Sequence, residues 1–133
     1  MAELFEPTLN ISKSGKQVNL RATVRLRLSP FEQCLIKTCD PNGLFQISCY
    51  IGDVDDGEFP GGRPPVSITA GMFSVPRQGQ ESDPFVWEFS TPQGAALNED
   101  LGRDEIYCHF ELRNLFSSTI SHAIDSQTVS GNY

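Results

Sequence analysis

The sequence has no apolar run approaching the ~18 residues that a membrane helix needs. The opening residues, Met1-Ala2-Glu3-Leu4-Phe5-Glu6-Pro7, lack the basic region and apolar stretch of a signal peptide. A cytoplasmic setting or an assembled particle is therefore expected, with reduced thiols. Basic charge is short: ten Lys and Arg stand against seventeen Asp and Glu, a net charge of -7. That balance disfavours a generic nucleic-acid binder and an anionic-membrane binder. Histidine is scarce, with only His109 and His122, and neither has a metal-ligand partner at i+4. A nucleophile elbow and a phosphate-binding loop are both missing. Asp104-Glu105 opens a strand pattern, where neighbours point to opposite faces, so it makes a poor acid–base pair. A non-enzyme with no cofactor is expected.

What is present is alternation. With 133 residues, of which 38% are hydrophobic, the chain suits one domain over 1–133 with one core. Val18, Leu20, Ala22, Val24, Leu26 and Leu28 alternate with Asn19, Arg21, Thr23, Arg25 and Arg27, which predicts a strand buried on one face. Thr8 to Ser12 alternates weakly, and Lys13-Ser14-Gly15-Lys16 supplies a turn, so the two segments read as a hairpin. Asp40-Pro41-Asn42-Gly43 is a turn that launches Leu44 to Ile51, with Phe45, Ile47, Cys49 and Ile51 on one face. Val66 to Thr69 is a short strand, and Phe85-Val86-Trp87-Glu88-Phe89 sets Trp87 on an apolar face. Glu105 to Arg113 alternates as a strand, although Cys108, Leu112, Leu115, Phe116, Ile120 and Ala123 also form a helical stripe. The Ile, Tyr, Cys and Phe content and the following Ser117-Ser118-Thr119 favour the strand. Ala123 to Val129 is then the last strand. Loops are expected over Gly52 to Pro65, Pro76 to Pro84 and Pro92 to Asp104, and no segment reads as a long helix. About seven short strands predict an all-β, two-sheet antiparallel β-sandwich.

Two resemblances go further. Asp100-Leu101-Gly102-Arg103-Asp104-Glu105-Ile106-Tyr107-Cys108 looks like the approach to a penultimate strand, and Ser126-Gln127-Thr128-Val129 looks like a closing one. In this respect the chain resembles immunoglobulin-like and fibronectin type III-like sandwiches. Tyr107 directly precedes Cys108, whereas that fold's tyrosine corner places its tyrosine two positions before the cysteine, where Ile106 stands. The two ends are similar to the coat proteins of single-stranded RNA phages. The matching residues are Thr8-Leu9-Asn10-Ile11, the turn Lys13-x-Gly15-Lys16-Gln17, Glu111-Leu112, Ala123-Ile124-Asp125 and the final Tyr133. That resemblance implies an RNA-packaging coat and a terminal helix pair. The middle departs from it, because Phe45–Ile51 and Phe85–Phe89 carry no basic residue.

Several clusters are candidate sites. Arg21, Arg25 and Arg27 share the wet face of one strand, as a phosphate grip, an assembly contact or a solvated face. Residues 1–39 carry six basic and three acidic groups, and the rest carry four and fourteen. Asp53, Asp55, Asp56 and Glu58 place four carboxylates within six residues, hard ligands suited to calcium, but the spacing is not that of an EF-hand. A solvated acidic loop is the favoured reading there. Cys49 and Cys108 fall on apolar strand positions, where free thiols are favoured over a buried bridge between sheets. Cys34-x4-Cys39 lacks zinc-knuckle spacing. Tyr50 and Tyr107 point away from the core and suit sugars or interfaces. The function expected is a structural or assembly subunit of a virion-like or filament-like particle, acting through protein–protein contacts. The partner would be a second copy or another protein. A carbohydrate- or calcium-binding module using the Gly52–Pro65 loop is the alternative from a different class.

Overall fold

The computed structural model describes residues 2–38, 44–53, 61–62, 66–67, 81–92, 104–115 and 117–131. Two antiparallel sheets face each other. The first contains β1 (Glu3–Ser14), β2 (Gln17–Arg27) and β6 (Phe85–Pro92), in the order β1-β2-β6. The second is built on β3 (Phe45–Asp53), β7 (Asp104–Asn114) and β8 (Thr119–Asp125). Its edges are extended by β4 (Gly61–Gly62) and β5 (Val66–Ser67) on β3, and by β9 (Val129–Gly131) on β7. The principal strands thus lie in the orders β1-β2-β6 and β3-β7-β8. The expectation of an all-β, two-sheet antiparallel sandwich holds. No helix among the described residues is long and apolar enough to cross a membrane.

Alternation explains the layering. Val18, Leu20, Ala22, Val24 and Leu26 on β2 point inward, as do Phe45, Ile47, Cys49 and Ile51 on β3 and Ile106, Cys108, Phe110 and Leu112 on β7. Leu4 and Leu9 of β1 and Trp87 of β6 complete the inner layer of the first sheet. The Trp87 and Phe110 rings meet between the sheets with centroids 5.7 Å apart. The β1–β2 hairpin closes through a two-residue turn, Gly15-Lys16, in which Gly15 adopts φ 62°.

β1 and β6 run longer than their patterns predict, whereas β2 keeps its expected eleven residues. β1 begins at Glu3 because a bulge between Phe5 and Thr8 absorbs one residue, with Glu6 at φ 51° and Pro7 beside it. That shift breaks the period of two and hid the first half of the strand. The segment expected to close the fold as one strand, Ala123 to Val129, is two strands, β8 and β9, interrupted at Ser126–Thr128. The helix pair implied by the phage-coat resemblance is replaced by β7, β8 and β9. Within the loop expected over Gly52 to Pro65, Gly61–Gly62 returns to pair with Tyr50–Ile51.

One short helix that the periodicity does not predict, α1 (Pro30–Thr38), lies between β2 of the first sheet and β3 of the second. Its start is a capping box. The Ser29 hydroxyl accepts from the Glu32 N–H at 3.2 Å, and the Glu32 carboxylate accepts from the Ser29 N–H at 3.0 Å. Pro30 sits at the first helical position, where its missing N–H costs nothing. Partial burial pushes the Glu32 carboxyl up, but the hydrogen bonds from Ser29 outweigh it and the net direction is down.

Two serines hold the sandwich where strands break. Ser82 donates its N–H to the Leu26 carbonyl at 2.8 Å, and its hydroxyl accepts from the Leu26 N–H at 3.0 Å. Ser126 does the same to Cys108, at 2.8 and 2.9 Å. Each serine clasps both backbone groups of a core residue, one just before β6 begins and the other between β8 and β9. The edges of the two sheets are also tied directly. The Leu4 N–H donates to His122 Nδ1 at 2.9 Å, and the Gln127 amide donates to the Leu9 carbonyl at 3.1 Å.

Candidate functional site

The outer face of the first sheet carries the arginine row, and every arginine in it meets a carboxylate of the same chain. Arg21 pairs with Glu88 at 3.2 Å, its cross-strand neighbour on β6. Arg25 reaches Glu6 at 3.2 Å and Glu81 at 3.3 Å, and its Nε–H donates to the Ser82 carbonyl at 3.0 Å. Arg27 bonds Glu81 at 2.8 Å and also Glu3. The Phe5 ring lies under both guanidiniums, 4.9 Å from Arg25 and 4.3 Å from Arg27. This network ties β1 and the 81–84 strap to β2 and pairs each arginine of the row within the chain.

The network sets a pH response. Hydrogen bonding to Arg27 holds the Glu81 carboxyl below its ordinary value of 4.5. A carboxyl with a depressed folded-state pKa stabilises the fold at pH values above its unfolded pKa, and that contribution disappears as pH falls through the folded value. Acidification below pH 4.5 is expected to loosen the strap first, as faster amide exchange at Leu26 and Ser82. Glu81→Gln should flatten that acid limb, whereas a limb unchanged in Glu81→Gln would show that another group controls it.

The outer face of the second sheet is different. Period two places Glu105, Tyr107, His109, Glu111 and Arg113 on one side of β7, and the register sets Tyr50 beside His109 and Gly52 beside Tyr107. Across the β7–β8 hairpin, Asp125 sits beside His109, Ala123 beside Glu111 and Ile120 beside Arg113. His109 is bracketed by carboxylates, with Nδ1 2.6 Å from Asp125 and Nε2 3.1 Å from Glu111. The Tyr50 ring lies 6.3 Å from the imidazole, tilted against it. An open depression of about 310 Å³ adjoins this cluster, lined by Tyr107, Asp125, Ser126 and Thr128. Ile120 is 43% exposed at the other end of the face. The sequence placed Tyr50 and Tyr107 outward, as found, but not the bracket. Glu111 at i+2 from His109 was legible, whereas Asp125 depends on the hairpin register.

Asp53 ends β3 opposite Ile106, and Asp55, Asp56 and Glu58 lie outside the described residues. Among the described residues no group of three or more His, Cys, Asp or Glu is placed to hold a metal ion. Trp87 is in the core, as its alternation required.

Cys49 and Cys108 are buried free thiols on adjacent strands of the same sheet, so the inter-sheet bridge does not form. The hydrogen bond with Cys49, together with burial, drives the Cys108 thiol far above the ordinary range. Cys34 is exposed on α1, and Cys39 lies outside the described residues. An alkylating reagent is expected to modify Cys34 in the native protein and to reach Cys49 and Cys108 only on denaturation, read by peptide mass mapping. Native labelling of Cys108 at the rate of Cys34 would contradict this packing.

No protein-family model and no curated protein matches the sequence. Solved structures do match the fold. A bacterial adhesin from Mobiluncus mulieris, containing intramolecular disulfide, isopeptide and ester bond cross-links, aligns over 98% of this chain and 57% of its own at 9% identity, with a TM-score of 0.58. A calcium-binding mutant of Bacteroides uniformis beta-glucuronidase 2 aligns over 90% of this chain and 12% of its own at 11% identity, with a TM-score of 0.55. The same enzyme bound covalently to cyclophellitol-6-carboxylate aziridine aligns over 93% of this chain and 14% of its own at 10% identity, with a TM-score of 0.52. The chain spans less than two-thirds of each of these proteins, and identities this low show a shared fold alone.

Proposed function

We propose that the chain is a non-catalytic β-sandwich module that acts through protein–protein contacts, as a subunit of a larger assembly. The observation that carries this reading is the outer face of the second sheet. Tyr50, Tyr107 and His109 share this face with the Glu111 and Asp125 carboxylates that bracket the imidazole, and Ile120 lies exposed at its far end. Aromatic side chains on a strand scaffold bring large contact area at small entropic cost, and a polar tip that hydrogen-bonds at the rim. The arginine row of the first sheet offers less charge to a protein partner, because each arginine is paired with a carboxylate of the same chain. A fold shared with an adhesin that aligns over 57% of its length is compatible with a modular role. A virion-like or filament-like particle is the finer form of the proposal, with a second copy as partner.

Light scattering coupled to size exclusion over a wide concentration range tests it. Reversible growth in mass, abolished by Tyr107→Ala with the circular dichroism unchanged, is the expected result. A strict monomer at the highest concentration reached would rule out self-assembly.

A further inference from the structure

We infer that the outer face of the first sheet is a binding groove for a neutral oligosaccharide. The inference is independent of the assembly surface on the opposite side of the molecule. The groove measures about 450 Å³ and lies over two rungs of side chains. One rung is Asn10, Arg21 and Glu88, and the next is Ser12, Asn19 and Ser90, with the Leu20–Phe89 pair between them in register. Rungs two residues apart are roughly 7 Å apart along a strand, the span of one pyranose ring. Arg21 and Glu88 on the first rung are longer than Asn19 and Ser90, their neighbours on the second.

The chemistry selects the ligand. Two carboxamides, two hydroxyls and one guanidinium–carboxylate pair offer both donors and acceptors and carry no net charge. Ser90 and Asn19 are hydrogen-bonded to each other at 2.6 Å, and Arg21 and Glu88 meet at 3.2 Å, so these four are held in place before a ligand arrives. Among the described residues, the side chains of Asn10 and Ser12 make no hydrogen bond. A phosphate or sulfate ligand would meet Glu88 as well as Arg21, and an amine would meet Arg21 as well as Glu88. An apolar segment would bury these polar groups unpaired, at about 1–3 kcal/mol each. Vicinal hydroxyls both donate and accept without carrying charge, which matches the mixed, neutral lining of both rungs. The one aromatic residue lining the groove, Phe89, packs against the core rather than standing as an exposed platform, so affinity is expected in the millimolar range.

The test is a 15N-resolved NMR titration of the full chain with neutral gluco-, xylo-, manno- and galacto-configured hexasaccharides, and with a heparin hexasaccharide as the charged control. Saturable shifts at Asn10, Ser12, Asn19, Arg21 and Ser90 with at least one neutral chain are expected, with weaker or no response to heparin. Asn19→Ala should weaken that binding by roughly tenfold, the loss of one or two hydrogen bonds. Ser12→Ala, at an exposed position, provides a second variant with little bearing on folding. Charge-neutral Arg21→Gln/Glu88→Gln should keep most of the affinity. Shifts confined to another surface, a preference for heparin, or no saturable shift with any neutral chain would overturn the inference.

Discussion

Truncating Phe110 to alanine is expected to destabilise the protein by about 3–5 kcal/mol, a large share of the ~5–15 kcal/mol that holds a domain together. Phe110 is fully buried at the centre of the second sheet and meets Trp87 from the first. It is among the largest fully buried side chains, and its removal opens a cavity between two strand layers that are each fixed by their own hydrogen bonds. Such layers cannot collapse into the hole without breaking register. The same contact predicts a smaller loss for Trp87→Phe. Trp87 Nε1 is buried without a hydrogen-bond partner among the described residues, so replacing the indole removes an unsatisfied donor along with some packing area. Urea unfolding followed by circular dichroism reads both. A Phe110→Ala loss below about 1 kcal/mol would mean that the sheets do not meet at this residue.

Ser82→Ala and Ser126→Ala are each expected to cost about 1–3 kcal/mol, more than serine truncation at an exposed position. The hydroxyls accept from the Leu26 and Cys108 N–H groups, and both serines are buried. Without the hydroxyl those backbone donors remain inside the protein with no acceptor. The Ser126 hydroxyl also donates to the Gln127 carbonyl at 2.9 Å, so Ser126→Ala loses that bond together with the clasp. Native-state hydrogen exchange should show the Leu26 amide losing protection in Ser82→Ala and the Cys108 amide in Ser126→Ala, each without the other. Unchanged protection at both would show that other acceptors serve these groups.

The parts of the fold legible in the sequence were those with an uninterrupted period of two. β2 and β7 are readable because Val18 to Leu26 and Ile106 to Leu112 place an apolar residue at every second position and the structure buries each of these. β1 was half-hidden by the Glu6-Pro7 bulge, which flips the phase of the alternation. The helix α1 is short and only partly amphipathic, with Phe31 72% exposed, so periodicity carried little signal. Its capping box, Ser29-Pro30-Phe31-Glu32, was nonetheless there to be read. The serine clasps carry no local signature, because each depends on a residue far along the chain. The outward direction of Arg21, Arg25 and Arg27 was legible, whereas their carboxylate partners come from three separate segments that only the register brings together. His109 gains Asp125 in the same way.

The central claim is that β2 with β6 and β3 with β7 form separate sheets whose apolar faces meet. Nuclear Overhauser contacts measured on uniformly labelled protein test it most directly. The account predicts cross-sheet contacts between the Trp87 indole and Phe110 ring protons, together with backbone contacts pairing Ala22 with Trp87 and Cys49 with Phe110. Strong sequential amide contacts of helical type through 105–113, or Trp87 and Phe110 rings with no contact between them, would contradict it.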